Sequence, residues 1–210
     1  MPHALTPEEL ATRRCYAVIA EDYAQRERDD YPDESVVDWR LSLPSDDPLI
    51  LDIGCGFGRS IEVLRQVGIT RYIGVDPCEE LIAIARERYP GYDFRLGEAR
   101  DIPAIVPEQC DGFLAVFSFG HIAREHLLDA LYAIRSVMKP GAVGYISGPS
   151  GTGTWVGTSA THEHIPAGHS LVYVQWVLED FLALAAEAGF EAVFPIGEDD
   201  YLFYAGLRAC

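Results

Sequence analysis

Apolar residues follow two rhythms along this chain. Nearly unbroken runs at Leu49–Ile53 (LILDI), Arg71–Asp76 (RYIGVD), Tyr92–Gly97, Asp111–Phe117 (DGFLAVF) and Ala142–Ser147 are short enough for buried strands. Between them apolar positions recur every three or four residues. Ile61, Val63, Leu64 and Val67, then Leu81, Ile84 and Ala85, then Leu127, Leu131, Ile134 and Met138 each mark one helix face. Lys139-Pro140-Gly141 is expected to end the last of these. A further helix carries Leu178, Phe181, Leu182, Ala185 and Ala188 and stops at Gly189. Two alternating runs, Glu191–Ile196 and Tyr201–Leu207, then face each other across a Gly197–Asp200 turn, as an antiparallel hairpin does.

Upstream of the first strand the pattern is helical. Thr6, Pro7 and Glu9 form a capping box, and the helix they open is expected to run to about Arg28, since Tyr31-Pro32 breaks it. Tyr16 and Tyr23 lie seven residues apart on one face of it, with Ala20 between them. A short helix at about Glu34–Leu43 and a Pro44–Pro48 turn follow. Strands alternating with helices and closed by a hairpin predict an α/β fold: a doubly wound, mostly parallel, seven-stranded sheet with an antiparallel final hairpin strand and helices on both faces. The expected division is a helical cap at 1–48, a ligand-binding core at 49–147, a variable loop at 148–175, and the final helix and hairpin at 176–210.

Composition narrows the partners. With 210 residues, 49% of them hydrophobic, the chain supports one sizeable core. Its formal charge of −17 opposes binding to phosphate backbones, so nucleic acid is not expected as a partner. No apolar run is long enough for a membrane span, and the first ten residues show no secretory pattern. Five cysteines without a CxxC pair read as reduced thiols of a cytoplasmic protein, not as a zinc site. Nothing in the pattern fixes the oligomeric state, a homodimer included.

The chemistry concentrates where strands meet loops. Asp52 precedes Gly54-Cys55-Gly56-Phe57-Gly58, and a helix opens after it. Strand, glycine loop and helix N-terminus together offer backbone N–H groups to a polar ligand. The GxGxG spacing differs from the GxGxxG of dinucleotide sites. Asp76 ends the next strand, 18 residues after Gly58, where an acid can accept two ribose hydroxyls or cap the helix that Pro77 begins.

These motifs, in this order, resemble those of the class I S-adenosylmethionine-dependent methyltransferases of small-molecule type, over about Tyr16 to Gly206. The first motif of that family is (D/E)xGxGxG, matched by Asp52 to Gly58. Also similar are the Gly97–Pro103 segment, which stands for GDAxxLP with Glu98 in place of Asp, and the order of acid-led strand, helix, KPG turn and strand. The resemblance implies S-adenosylmethionine as cofactor and a small-molecule methyl acceptor. It assigns Asp52, Gly54, Cys55 and Gly56 to the amino-acid part, Asp76 to the ribose, and Pro77, Glu98 and Ala99 to the adenine side. Phe117 and Ser118, after the fourth strand, complete the cofactor set. Tyr16 and Tyr23 pack on the domain or close over the cofactor, as a YxxxAxxY-like helix does in many of these enzymes.

Methyl transfer to an O or N atom is an in-line displacement that needs alignment more than side-chain chemistry. His121, just past the fourth strand, is the first candidate for a base; the alternative is a structural role. The Gly- and His-rich stretch Gly148–Gln175 sits where acceptors bind in open α/β sheets, and Trp155, His164 and Tyr173 are its substrate-pocket candidates. His162-Glu163-His164 lacks the further ligands that a metal needs, so no metal is expected. A protein that binds S-adenosylmethionine without turnover is an alternative. So is a nicotinamide-dependent oxidoreductase, whose GxGxxG loop and catalytic Tyr-Lys or His pair are missing. The acids that an aminopropyl transferase needs after the fourth strand are absent too, as are the Asn-Pro-Pro-Tyr segment of nucleic-acid amino-methyltransferases and the Asp and Asp-Asn metal ligands of the catechol type.

Overall fold

The computed structural model describes residues 4–26 and 33–210. Helix α1 (Pro7–Arg26) opens with the expected capping box: Glu9 N–H donates to Thr6 Oγ1 at 3.2 Å, and Thr6 N–H to Glu9 Oε2 at 2.8 Å. The expected end of this helix near Arg28 and the Tyr31-Pro32 breaker lie outside the described residues. Then come α2 (Asp33–Leu41), β1 (Leu49–Ile53), α3 (Ile61–Gln66), β2 (Arg71–Asp76), α4 (Glu79–Arg88), β3 (Asp93–Leu96), the short α5 (Ile102–Ile105), β4 (Cys110–Val116), α6 (Arg124–Ser136) and β5 (Met138–Pro149). The chain closes with β6 (Thr154–Thr158), β7 (Ser170–Val174), α7 (Leu178–Glu187), β8 (Phe190–Glu198) and β9 (Leu202–Ala209).

Seven strands form one sheet in the order β3-β2-β1-β4-β5-β9-β8. The pairs from β3 to β5 are all parallel, whereas β9 runs antiparallel between β5 and β8. This is the expected doubly wound sheet with its antiparallel last strand. Side chains alternate across it. Leu51, Ile53, Val75 and Phe113 pack on one face with Leu131 of α6 and Phe181 of α7. Ile50, Tyr72 and Tyr145 pack on the other with Trp39 of α2, Leu64 of α3 and Ile82 of α4. Trp39 anchors its helix to the sheet by donating from Nε1 to the Val143 carbonyl at 2.8 Å. At the opposite end of the strands from the glycine loop, the Asp111 carboxylate accepts from Leu49 N–H at 2.9 Å and Lys139 Nζ at 2.8 Å, locking β1, β4 and β5 together.

Two expectations need correction. Met138 is not the last turn of α6. It begins β5 opposite Cys110, and the strand carries Lys139-Pro140-Gly141 along it, with a bulge between Cys110 and Gly112 and Gly141 at φ +78°. Met138 is buried at helical spacing from Ile134, so its burial fits either element; pairing with β4 decides for the strand. The stretch Gly148–Gln175 is not a plain loop either. Its β6 and β7 form a separate antiparallel hairpin, in register from Thr154↔Val174 to Thr158↔Ser170, which stands against α1.

The strand order reverses between β1 and β4. Chain connections diverge there, leaving a crevice at the carboxyl ends of the strands. Helix α1 roofs it. Thr12 Oγ1 accepts from Val172 N–H of β7 at 2.9 Å, Arg88 of α4 donates to the Ala24 carbonyl at 3.0 Å, and Glu9 accepts from Ala123 N–H at 3.2 Å and His126 Nδ1 at 3.0 Å at the start of α6.

Candidate active site

The crevice holds a cavity of about 450 Å³. Its floor is the loop after β1. Gly54 has φ +70°, and a Cβ there would lie 2.4 Å from Cβ of Ser118, so only glycine lets this loop approach the turn after β4. Gly56 has φ +54°, and a Cβ there would meet no atom within 4 Å, so its bare backbone faces open space. Gly54 and Cys55 N–H both donate to the Val75 carbonyl, at 2.8 and 3.1 Å, pinning the loop to β2. A ligand can therefore lie directly on backbone.

Two buried carboxylates stand beneath it. Asp76 accepts from Gly56 N–H and from Cys78 N–H, each at 2.8 Å, one on each oxygen. It therefore ties the glycine loop to the start of α4 while it lines the cavity, so the helix-capping role and the ligand-facing position coexist. Asp52 accepts from the Tyr72 hydroxyl at 2.8 Å and also from Ser60. Burial pushes both acids up to about 6: for Asp52 the neighbouring Asp76 adds to this against the hydrogen bonds from Ser60 and Tyr72, and for Asp76 the Cys78 and Gly56 N–H groups and Arg13 oppose it. Two neighbouring carboxylates buried in one site favour a cationic guest once both are ionised.

Every residue expected from sequence to hold a cofactor lines this one cavity: Tyr16, Tyr23, Asp52, Gly54, Cys55, Gly56, Asp76, Pro77, Glu98, Ala99, Phe117 and Ser118. His121 lines it as well. Sequence reasoning missed Arg13, Arg59 and Arg100, and met Glu9 only as a cap. Arg13 lies 3.7 Å from Glu98, and Arg100 lies 3.7 Å from Glu9. Burial alone would raise the Glu9 carboxyl, but hydrogen bonds from His126 and from the Thr6 and Ala123 N–H groups hold it below the usual range. Nη1 of Arg100 and Oγ of Ser118 are buried without a hydrogen-bond partner among the described residues. Orphaned polar atoms at the edge of a polar cavity are what a bound polar ligand would satisfy.

Beside this cavity lies a second, of about 440 Å³, lined by the three expected pocket residues Trp155, His164 and Tyr173 together with Gln175, Arg26 and several apolar side chains. Tyr16, Tyr23, Phe117 and Tyr173 line both cavities and so form their common wall. Phe117 sits there with φ +56°, a left-handed conformation that side chains other than glycine resist; its N–H donates to the Ser147 carbonyl at 2.9 Å. Trp176, another aromatic near this stretch, lines neither cavity: it is buried under the guanidinium of Arg124.

His121 is fully engaged. Nδ1 lies 2.9 Å from the Val172 carbonyl and Nε2 3.0 Å from the Tyr16 hydroxyl. A carbonyl only accepts, so Nδ1 carries the proton and Nε2 accepts from Tyr16. Burial pushes the imidazole down to about 4, so it is neutral at neutral pH. Tyr16, itself pushed up by burial, also hydrogen-bonds Tyr173.

Residues 50–141 match the family model of the methyltransferase domain. Demethylmenaquinone methyltransferase of Chlorobaculum parvum (strain DSM 263 / NCIMB 8327) is 31% identical over 105 residues, 49% of this chain and 42% of that protein. The match thus spans less than half the length of that curated relative. The DhpI–SAH complex superimposes with a TM-score of 0.74 at 17% identity, over 98% of each chain. The 1,6-didemethyltoxoflavin-N1-methyltransferase of Burkholderia thailandensis gives 0.71 at 16% identity, over 100% of this chain and 93% of that one. At such identities a structural likeness carries the fold. Residues 50–141 thus match a methyltransferase domain, and the chain as a whole has the Rossmann-like fold of the class I methyltransferases.

Proposed function

We propose that this chain transfers a methyl group from S-adenosylmethionine to an oxygen or nitrogen atom of a small molecule. The observation that carries the reading is the crevice at the switch point, where the Asp76 carboxylate is tied to the Gly56 N–H and both face a cavity that gathers the whole expected set. Bound there, S-adenosylmethionine supplies an electrophilic methyl on a sulfonium and departs as S-adenosylhomocysteine. The bare loop at Gly54 and Gly56 receives its amino-acid end, Asp76 its ribose, and Glu98 and Ala99 its adenine. Asp52 and Asp76 offset the positive charge. Phe117, Tyr16 and Tyr173 align the acceptor on the far side of their shared wall and help α1 to exclude water.

His121 acts here as a positioning residue. With both ring nitrogens committed, it fixes the Tyr16 hydroxyl at the wall between the cavities. The charge of −17 opposes a nucleic-acid acceptor. No described helix is long and apolar enough to cross a membrane.

The test is turnover. The purified chain, given S-adenosylmethionine and a panel of small phenols, heteroaromatic amines and carboxylic acids, is assayed for S-adenosylhomocysteine by mass spectrometry. Release that depends on one acceptor, with that acceptor gaining one methyl, supports the proposal. Tight cofactor binding with no turnover on any acceptor favours a binding protein instead.

A further inference from the structure

The second cavity has a chemistry of its own. Aromatic rings run without a gap from the glycine loop to the β6–β7 hairpin. Phe57 meets Tyr23 at 5.6 Å between centroids, Tyr23 meets Tyr16 at 5.3 Å, and Tyr16 meets His121 at 5.3 Å. His121 then meets Tyr173 at 4.4 Å, Tyr173 meets Trp155 at 5.2 Å, and Trp155 meets His162 at 4.7 Å. All these pairs are edge-on or tilted, the geometry by which aromatic rings attract one another and build a continuous apolar wall. Aliphatic Ile19, Ile165 and Leu171 complete the apolar wall.

The described lining of this cavity is short of unpaired charge. Among the described residues no Asp or Glu lines it, so a polyamine finds no counter-ion. Among the described lining residues Arg26 is held by Asp22 at 2.8 Å, His164 lies 3.4 Å from Glu163, and His162 Nδ1 lies 3.2 Å from Thr161 Oγ1, so each basic side chain there already has a partner for a polycarboxylate to displace. A cage for an ammonium group surrounds it with ring faces, whereas here the rings meet edge to face and aliphatic side chains fill the rest. A flat, neutral, ring-bearing guest fits both the shape of the contacts and a described lining whose charged groups are already paired.

We infer that the acceptor is a neutral, planar aromatic molecule, held against Trp155 and Tyr173, with its reacting hydroxyl or nitrogen turned to Tyr16 and Phe117. The inference deepens the methyl-transfer reading and rests on it for the word acceptor, but the cavity's preference for rings is measurable without it.

The experiment is equilibrium binding followed by tryptophan fluorescence and calorimetry, with and without saturating S-adenosylhomocysteine. The probes are 2-naphthol, its saturated counterpart decahydro-2-naphthol, spermidine, citrate and N,N-dimethylethanolamine. The naphthol should bind at least about tenfold more tightly than the saturated alcohol, and the three charged probes should not compete. Trp155→Ala should weaken naphthol binding by about tenfold and Trp155→Phe should restore most of it, with S-adenosylhomocysteine affinity unchanged. Trp155 is one-third exposed (36%), so its truncation spares the core. Equal binding of the two alcohols, no binding of either, or displacement of naphthol by any charged probe overturns the inference. Failure of S-adenosylhomocysteine to bind while naphthol still prefers the wild-type cavity sinks the methyl-transfer reading and leaves the ring preference standing.

Discussion

The hydroxyl of Tyr16 lies 3.0 Å from Nε2 of His121, across 105 positions of sequence and at the boundary of two cavities. One residue belongs to the helical roof and the other to the turn after β4, so the contact joins the lid to the sheet. If His121 positions Tyr16, a side chain that still accepts that hydrogen bond suffices. His121→Gln should retain most activity, while His121→Ala should lose about tenfold or more by removing the Nε2 acceptor that holds the Tyr16 hydroxyl in place. Since the imidazole is neutral down to about pH 4, the wild-type rate should show no limb near 6.5 that His121→Gln removes. A limb that vanishes in that variant would identify a base instead.

Cofactor binding should depend on pH through Asp52 and Asp76. Both are held up at about 6 in the folded protein, against an ordinary value of 3.8. With folded values above unfolded ones, the free protein gains stability from these two groups as pH falls through 6 toward 4, and lacks that gain at pH 7. A sulfonium guest requires them ionised and draws their values down. Its affinity should therefore hold from pH 8 to 7 and fall by about tenfold per pH unit for each proton taken up below 6. Calorimetry at pH 6 in two buffers of different ionisation enthalpy should detect proton release on binding, and Asp52→Asn should halve it.

Phe117 stores backbone strain in its left-handed conformation. Phe117→Gly relieves it, whereas Phe117→Ala keeps it and removes the same ring. The glycine variant should therefore be about 1 kcal/mol more stable than the alanine variant in urea unfolding, while both lose acceptor affinity. Equal stabilities would show that the conformation is not strained.

Glu9 should act as the latch of the roof. Its carboxylate takes hydrogen bonds from Thr6, Ala123 and His126 and pairs with Arg100. Glu9→Ala should cost roughly 1–3 kcal/mol, mainly as faster amide exchange in α1 with the sheet unchanged. It should also weaken cofactor binding without altering which acceptors are used.

The sheet was legible because parallel strands buried on both faces are apolar nearly throughout, as in Leu49–Ile53 and Asp111–Phe117. The floor of the site was legible for a different reason: its glycines and strand-end acids are fixed by backbone geometry at short range. What the sequence could not show is set by packing between distant elements. Nothing local tells that Glu9 reaches α6, that Arg13 and Arg100 face the crevice, or that Tyr16 meets His121. Met138 misled because its burial suits helix and strand alike. The β6–β7 hairpin had a signal, in Thr154-Trp155-Val156 and Leu171-Val172-Tyr173-Val174, that the surrounding glycines and histidines obscured.

The central claim is that the crevice beside Asp76 binds S-adenosylmethionine, and calorimetric titration tests it most directly. With NAD as control ligand and Asp76→Ala beside the wild type, the account predicts micromolar binding of S-adenosylmethionine. It predicts a loss of about thirtyfold or more in the variant, which lacks the acceptor for Gly56 and Cys78 N–H. No binding of S-adenosylmethionine, tighter binding of NAD, or an Asp76→Ala affinity equal to wild type would contradict it.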